Sequence, residues 1–224
     1  LIVTAEIDGV LFDFGRTLFD SVPETVLLAR EAERLGADLT PDQVGELWAE
    51  IHTAAMAPEE VARGRDLDAA VWAARWKALY GLADRVLPGL GSALDAAMLD
   101  PATWVPYRDA VPTLEALHAA GTPVAVVSNT GWDIRSPFRA RGLDHLVDAW
   151  VLSCEVGAAK PDTAIFIEAC RRLGTEPAHT LMVGDDAVAD GGATRAGLPV
   201  WLVAAGAPLG DDNGLDVVPR LLAR

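Results

Sequence analysis

Short apolar runs punctuate the chain at 9–12, 124–127, 149–152, 180–183 and 200–203. Each is continuous rather than alternating, which is the pattern of strands covered on both faces of a parallel sheet. Ahead of the second, third and fourth runs lie stretches of helical period, at 109–120, 133–141 and 162–173, closed by Gly121, Gly142 and Gly174. Glycine in that place suits the left-handed residue that ends a helix. Repeated β-α units of this length predict an α/β fold, a doubly wound parallel sheet.

The stretch 20–103 breaks the rhythm and reads as helices only. Ser21-Val22-Pro23-Glu24 and Thr40-Pro41-Asp42-Gln43 both have the capping-box pattern with a proline in the first turn. Val44, Leu47, Trp48, Ile51 and Ala55 keep helical spacing, as do Trp72, Trp76, Leu79 and Tyr80, and then Leu90, Leu94, Ala97 and Met98. Pro101 and Pro106 mark the return to the sheet. The expected organisation is a core domain, 1–19 and 104–224, with a helical cap domain, 20–103, inserted just after the first strand. An insertion there sits over the strand ends, as a lid would. The Gly/Pro/Asp-rich stretch 206–214 reads as a surface loop before a short final helix.

Composition narrows the partners. With 224 residues, 51% hydrophobic and 23% charged, the chain suits one large soluble domain or a domain with an insertion. A net charge of −15 argues against nucleic acid and anionic membranes as partners. No apolar run approaches the roughly 18 residues of a membrane span, and no signal-peptide pattern is visible. Cys154 and Cys170 lack metal or redox spacing and read as buried thiols in a reducing, cytoplasmic setting. The pattern leaves monomer and homodimer equally open.

The chemistry gathers at the ends of the apolar runs. Asp13 opens the loop Phe14-Gly15-Arg16-Thr17-Leu18 after the first, and Ser128-Asn129 closes the second. Lys160-Pro161 follows the third, and Gly184-Asp185-Asp186 ends the fourth. In a parallel sheet those ends converge on one crevice. A carboxylate nucleophile at Asp13, a hydroxyl at Ser128 and an ammonium at Lys160 make a coherent phosphoryl-transfer site. Asp13 and Asp185 are hard oxygen ligands that suit Mg²⁺.

From 9 to 203 this order resembles the four motifs of the haloacid dehalogenase superfamily. The resemblance implies a Rossmann-like core with a helical cap, Mg²⁺ as cofactor, and a small phosphorylated metabolite as substrate. It implies Asp13 as nucleophile, Thr17 as the threonine that closes the first loop, and Ser128 and Lys160 as the second- and third-motif groups. Asp185 and Asp190 match the acids of the fourth motif. The expected metal set is then Asp13, the Gly15 carbonyl, Asp185, Asp186 and Asp190, and the expected substrate contacts are Thr17, Asn129, Arg16 and Trp132.

One position departs from the family. Its phosphatases place a second aspartate, the general acid/base, two residues after the nucleophile, and here that residue is Gly15. A general acid/base typically contributes about 10²–10⁴-fold in rate, and its loss costs least when the leaving group is stable as an anion. Family members altered at this position include dehalogenases and phosphonate-cleaving enzymes. The dehalogenases lack the Gly-Asp metal pair that is intact here, and Lys77 is the one cap lysine a phosphonatase Schiff base could use. Asp190-Gly191-Gly192-Ala193 also comes one residue early. The alternatives are therefore a silent phospho-ligand binding protein and a C–X or C–P bond hydrolase.

Plainer readings stand beside these. Asp13 alone would be a turn former, Ser128-Asn129 a helix cap, Lys160 a surface lysine and Asp186 a solvated neighbour. Arg16 is open between a phosphate contact and an ion pair at the lid hinge. Arg63 and Arg65 read as exposed loop arginines, and the four histidines have no ligand spacing. His52, on the lid, is the one placed to replace the missing acid. Trp48, Trp72 and Trp76 read as core residues, whereas Trp132 reads as a wall of the cleft.

Overall fold

The computed structural model describes residues 6–204 and 206–222. Strand β1 (Gly9–Phe12) is buried throughout and leads through the loop 13–18 to β2 (Phe19–Ser21). Five helices follow: α1 (Glu24–Arg34), α2 (Pro41–Ala55), α3 (Pro58–Val61), α4 (Ala69–Tyr80) and α5 (Leu90–Leu99). The chain returns through β3 (Trp104–Pro106), which pairs antiparallel with β2. After that come α6 (Ala110–Ala119), β4 (Val124–Ser128), α7 (Arg135–Arg139), β5 (Ala149–Leu152), α8 (Ser153–Val156) and α9 (Thr163–Leu173). β6 (Thr180–Gly184), β7 (Val200–Leu202) and α10 (Val217–Leu222) complete it.

The main sheet is parallel, in the order β5-β4-β1-β6-β7. Val10 and Phe12 face one side, with Val126, Leu114 of α6 and Phe138 of α7. Leu11 faces the other, with Val127, Met182 and Phe166 of α9. Both faces are covered, so the strands read as unbroken apolar runs; each such side chain fully buried stabilises by about 1.5–3 kcal/mol. β7 is the exception. It has a single neighbour, Val200 and Trp201 are half-buried, and Leu202 is exposed.

The helices α1, α2, α4 and α5 close around a core of their own, built from Leu27, Leu28, Leu47, Ile51, Leu90 and Leu94. Thr40 forms the expected capping box: its hydroxyl accepts from Gln43 N (3.3 Å), and Thr40 N donates to Gln43 Oε1 (2.9 Å). Ser21 does not. It is drawn into β2 opposite Trp104, and α1 starts after Pro23 with no side-chain cap. The ribbon β2–β3 corrects the helices-only reading; with three residues in each strand it is too short to show a period. The helix expected over 133–141 contracts to Arg135–Arg139, although Gly142 still takes the left-handed conformation, at φ 67°. Among the described residues no helix is long and apolar enough to cross a membrane.

Candidate active site

Register delivers the candidate reacting groups to one edge. β1 and β6 pair Phe12 with Val183, so the chain segments carrying Asp13 and Asp185 leave the sheet side by side. This is where the strand order reverses and open α/β sheets bind ligands. Asp13 N donates to Val183 O at 2.9 Å, fixing the first residue of the loop to the neighbouring strand. On the other flank β4 ends at Ser128, whose buried side chain lines the same cleft.

Lys160 is the pivot. Its side chain is 4% exposed, with Nζ 2.5 Å from Asp13 Oδ1 and 2.7 Å from Asp190 Oδ1. Burial works against the ammonium charge, but Asp13 and Asp190 outweigh it and hold Lys160 above the ordinary lysine range. The lysine is therefore a fixed positive charge beside the Asp13 carboxylate. Asn129 positions it: Nδ2 donates to Lys160 O and Oδ1 accepts from Lys160 N, both at 2.7 Å. The amide expected to meet substrate is thus engaged at both ends with the lysine's main chain.

Asp13, Asp185 and Asp190 each present a carboxylate oxygen within 4.8 Å of the others. Burial, and then Asp13 and Asp190 against the pull of Arg16, push the Asp185 carboxyl up to about 6. Three carboxylates facing Lys160 and Arg16 leave negative charge that a hard cation would neutralise, and the all-oxygen donor set fits Mg²⁺. Within that set Asp190 is already occupied: Oδ1 accepts from Lys160, and Oδ2 from Asp186 N at 3.0 Å. Asp186 stands apart from the group. Its Oδ1 accepts from Val188 N (2.7 Å) and Ala189 N (2.8 Å), which fixes the turn and holds its carboxyl below the usual range. That task engages one of its two carboxylate oxygens, and the three-carboxylate group forms without it.

Arg16 pairs with Asp185, Nη2 to Oδ2 at 3.1 Å, with its side chain 59% exposed. It is the one described non-glycine residue with positive φ, 56°, a conformation kept where surrounding structure enforces it. The enforcing contacts come from the stretch read as a surface loop. Asn213 is 1% exposed, and its Nδ2 donates to Arg16 O (2.9 Å) and Thr17 O (3.0 Å). Asp109 in turn accepts from Asn213 N (3.0 Å) and Leu215 N (2.7 Å). Thr17 is fully buried, with Oγ1 3.5 Å from Asp13 Oδ2. Only long-range contacts reveal this strut; the asparagine within a Gly/Asp-rich run was its single sequence trace.

Glycines let these segments close up. A Cβ on Gly184 would lie 2.1 Å from Asp190 Oδ2, and one on Gly131 2.1 Å from Trp72 Cβ on α4. Gly184→Ala is therefore expected to displace the Asp190 carboxylate and destabilise the fold by about 1–3 kcal/mol. Gly15→Ala, with nothing within 4 Å of the added carbon, is the matched control and should stay within about 0.5 kcal/mol in urea unfolding. Equal midpoints for the two variants would contradict this packing.

A cleft of about 260 Å³ lies over Asp13, Lys160 and Asp185 and adjoins a second cavity, about 460 Å³, under the helices. Arg16, Trp104, Asn129, Thr130 and Trp132 line both. Trp132 is a wall, as expected. Trp48, Trp72 and Trp76, expected in the core, are half-buried and line the second cavity, and of the three Trp48 and Trp76 also pack against the helical core. Arg65, expected to be exposed, is buried against Trp76, whereas Arg63 is exposed and pairs with Glu60 at 3.2 Å. His52 lines the second cavity but not the cleft over Asp13, and Lys77 is exposed and lines neither. Cys170 is buried and Cys154 half-buried, both as free thiols.

Comparison with known proteins agrees with this geometry. The family pattern described as haloacid dehalogenase-like hydrolase matches residues 7–197. A zebrafish (Danio rerio) protein, haloacid dehalogenase-like hydrolase domain-containing protein 3, is 31% identical over 81% of this chain and 78% of its own. The glyceraldehyde 3-phosphate phosphatase of Methanopyrus kandleri is 40% identical over 42% of this chain and 41% of its own. The chain spans about half or less of the length of the first such relatives. The solved L-2-haloacid dehalogenase of Xanthobacter autotrophicus superposes with a TM-score of 0.68 at 22% identity, covering 96% of this chain and 98% of that one, which shows a shared fold.

Proposed function

The chain belongs to the haloacid dehalogenase-like hydrolases, and from that footing we propose that it is a Mg²⁺-dependent phosphatase acting on a small phosphorylated metabolite. The observation that carries this reading is the buried Lys160 held between Asp13 and Asp190, with Asp185 completing an acidic group beside it. Hydrolysis at a carbon–halogen bond has no need of a cation-binding carboxylate group next to its nucleophile. Phosphatases among the relatives point the same way.

In the proposed reaction an Asp13 oxygen attacks phosphorus, and the bond from phosphorus to the leaving oxygen breaks with its electron pair departing on that oxygen. Water then attacks the aspartyl-phosphate at phosphorus, the Asp13 carboxylate is regenerated, and inorganic phosphate leaves. Oδ1 is the oxygen bound by Lys160, which leaves Oδ2 to attack. Lys160 offsets repulsion between carboxylate and phosphate, and Ser128 is placed to donate to a phosphoryl oxygen. Asp13, Asp185 and the Gly15 carbonyl would hold Mg²⁺, with Asp190 behind them, and the bound ion would add positive charge opposite the phosphoryl oxygens. Gly15 offers no proton, so a leaving group stable as an anion is favoured. The helices of 20–103 act as the lid over this cleft.

Acetyl phosphate, small and activated, is the test substrate. Phosphate release is expected with Mg²⁺ and its loss with EDTA, and Mg²⁺ alone should raise the unfolding temperature, by the equivalent of about 2.7 kcal/mol at a hundred times its dissociation constant. Gly15 also favours a second reading, a phospho-ligand binding protein without turnover. That reading wins if Mg²⁺-dependent phosphate binding is seen with no release from acetyl phosphate. Metal-independent halide release from a 2-haloacid would transfer the assignment to carbon–halogen hydrolysis.

A further inference from the structure

The second cavity has an unusual lining. Trp48, Trp72, Trp76, Trp104 and Trp132 all face it, together with Tyr80. The rings already associate in pairs: Trp76 stacks on Tyr80 with centroids 5.2 Å apart at 29°, and Trp104 lies 5.3 Å from Trp132 at 33°. The tryptophans are half-buried: Trp48 and Trp76 pack on the helical core and Trp104 and Trp132 on that of the sheet, and each also lines the cavity. Aromatic faces held in this way favour a planar ring over an aliphatic chain, through stacked and edge-on contacts. The cavity volume of about 460 Å³ is that of a small-molecule site.

A polar anchor sits among them. The Arg65 side chain is 10% exposed and lies 4.7 Å over the Trp76 ring, and Nη1 donates to Ala55 O at 2.7 Å. Among the described residues its buried Nε has no hydrogen-bond acceptor, and Asp66 Oδ1 stands off at 3.8 Å. An unpaired buried donor costs free energy, which an acceptor oxygen carried on a bound ring would relieve.

Resting on the phosphatase reading above, we propose that the substrate is an aryl phosphate monoester: the phosphate lies over Asp13 and the ring occupies the tryptophan cavity. The two spaces share Trp104 and Trp132 as walls, so a ring bonded directly to the bridging oxygen passes from one into the other. The chemistry of Gly15 converges on the same class from an independent direction. When Asp13 attacks phosphorus, the P–O bond to the ring breaks and the electron pair leaves as a phenolate. A phenol ionises at about 10 and needs no proton from the enzyme, whereas an alkanol, a far weaker acid close to water, would. Water then cleaves the aspartyl-phosphate at phosphorus and its protons pass to the phosphate and to solvent.

The experiment compares kcat/KM for 2-naphthyl phosphate, phenyl phosphate and acetyl phosphate with Mg²⁺ present. The two aryl esters release phenols of similar acidity, so a difference between them reports the ring. The naphthyl ester is expected to exceed the phenyl ester by about tenfold or more, mainly through KM. Trp76→Leu should cut the naphthyl-to-acetyl ratio by a similar factor. Equal values for the two aryl esters overturn the proposal, and because that comparison uses the unaltered protein it stands even if the variant fails to fold. Turnover of acetyl phosphate without a ring preference sinks the aryl assignment alone. No Mg²⁺-dependent turnover of any of the three overturns the phosphatase reading and this one with it.

Discussion

Asp13→Asn is expected to lower Mg²⁺-dependent phosphate release from acetyl phosphate by about 10⁴-fold or more while the protein stays folded. The amide keeps the shape of the carboxylate but is too weak a nucleophile to attack phosphorus. Stability is less exposed to the change than burial alone suggests. Removing one member of a buried ion pair commonly costs about 3–5 kcal/mol because the partner is left unpaired. Here Lys160 keeps Asp190 at 2.7 Å, so it is not stranded. The substitution also removes the repulsion that Asp13 exerts on Asp185, one of the contributions that raise the latter's carboxyl to about 6. Initial rates and thermal unfolding, measured on the same preparations, separate the two effects. A rate within tenfold of the unaltered protein would reject Asp13 as the nucleophile; a collapsed unfolding temperature would show that its pairing with Lys160 is chiefly structural.

The positions of these groups were legible because the sheet is simple. Val10 and Phe12 go to one face and Leu11 to the other, both faces are covered, and strand β1 therefore appears as an unbroken run that ends at Asp13. The same holds for β4 and β6, so Ser128 and Asp185 could be placed at strand ends without coordinates. What stayed hidden depends on contacts between distant segments. Nothing local marks Asn213 as the residue that braces Arg16 and Thr17, since their positions in the chain are far apart and no period links them. Helical spacing showed that Trp72 and Trp76 share a face, but periodicity cannot show that this face, with Trp76 packed on the helical core, also lines a cavity. Arg65 was misread for a related reason: a glycine beside it suggested a loose loop, whereas Trp76 covers the guanidinium. Asp185 and Asp186 look alike in sequence as adjacent residues of one turn, while the backbone sends them to different partners.

Gly15→Asp is expected to restore what the first loop lacks, and its effect should depend on the leaving group. Turnover of an alkyl phosphate should rise by about 10²–10⁴-fold, the usual contribution of a general acid/base, whereas an aryl ester, which leaves as an anion unaided, should gain far less. The structure accepts the side chain. Nothing lies within 4 Å of a Cβ built on Gly15, and Gly15 is absent from the described glycines with positive φ, so the added carbon brings no backbone strain. The new carboxyl would enter a cleft that already holds Asp13, Asp185 and Asp190. Neighbouring negative charge raises a carboxyl pKa, which favours the protonated form an acid catalyst requires. Gly15→Asn, equal in size but without a transferable proton, separates acid catalysis from a simple filling of space. Equal gains on alkyl and aryl esters, or a gain that Asn reproduces, would show that the glycine does not set the leaving-group preference and that the tryptophan cavity alone selects the ring.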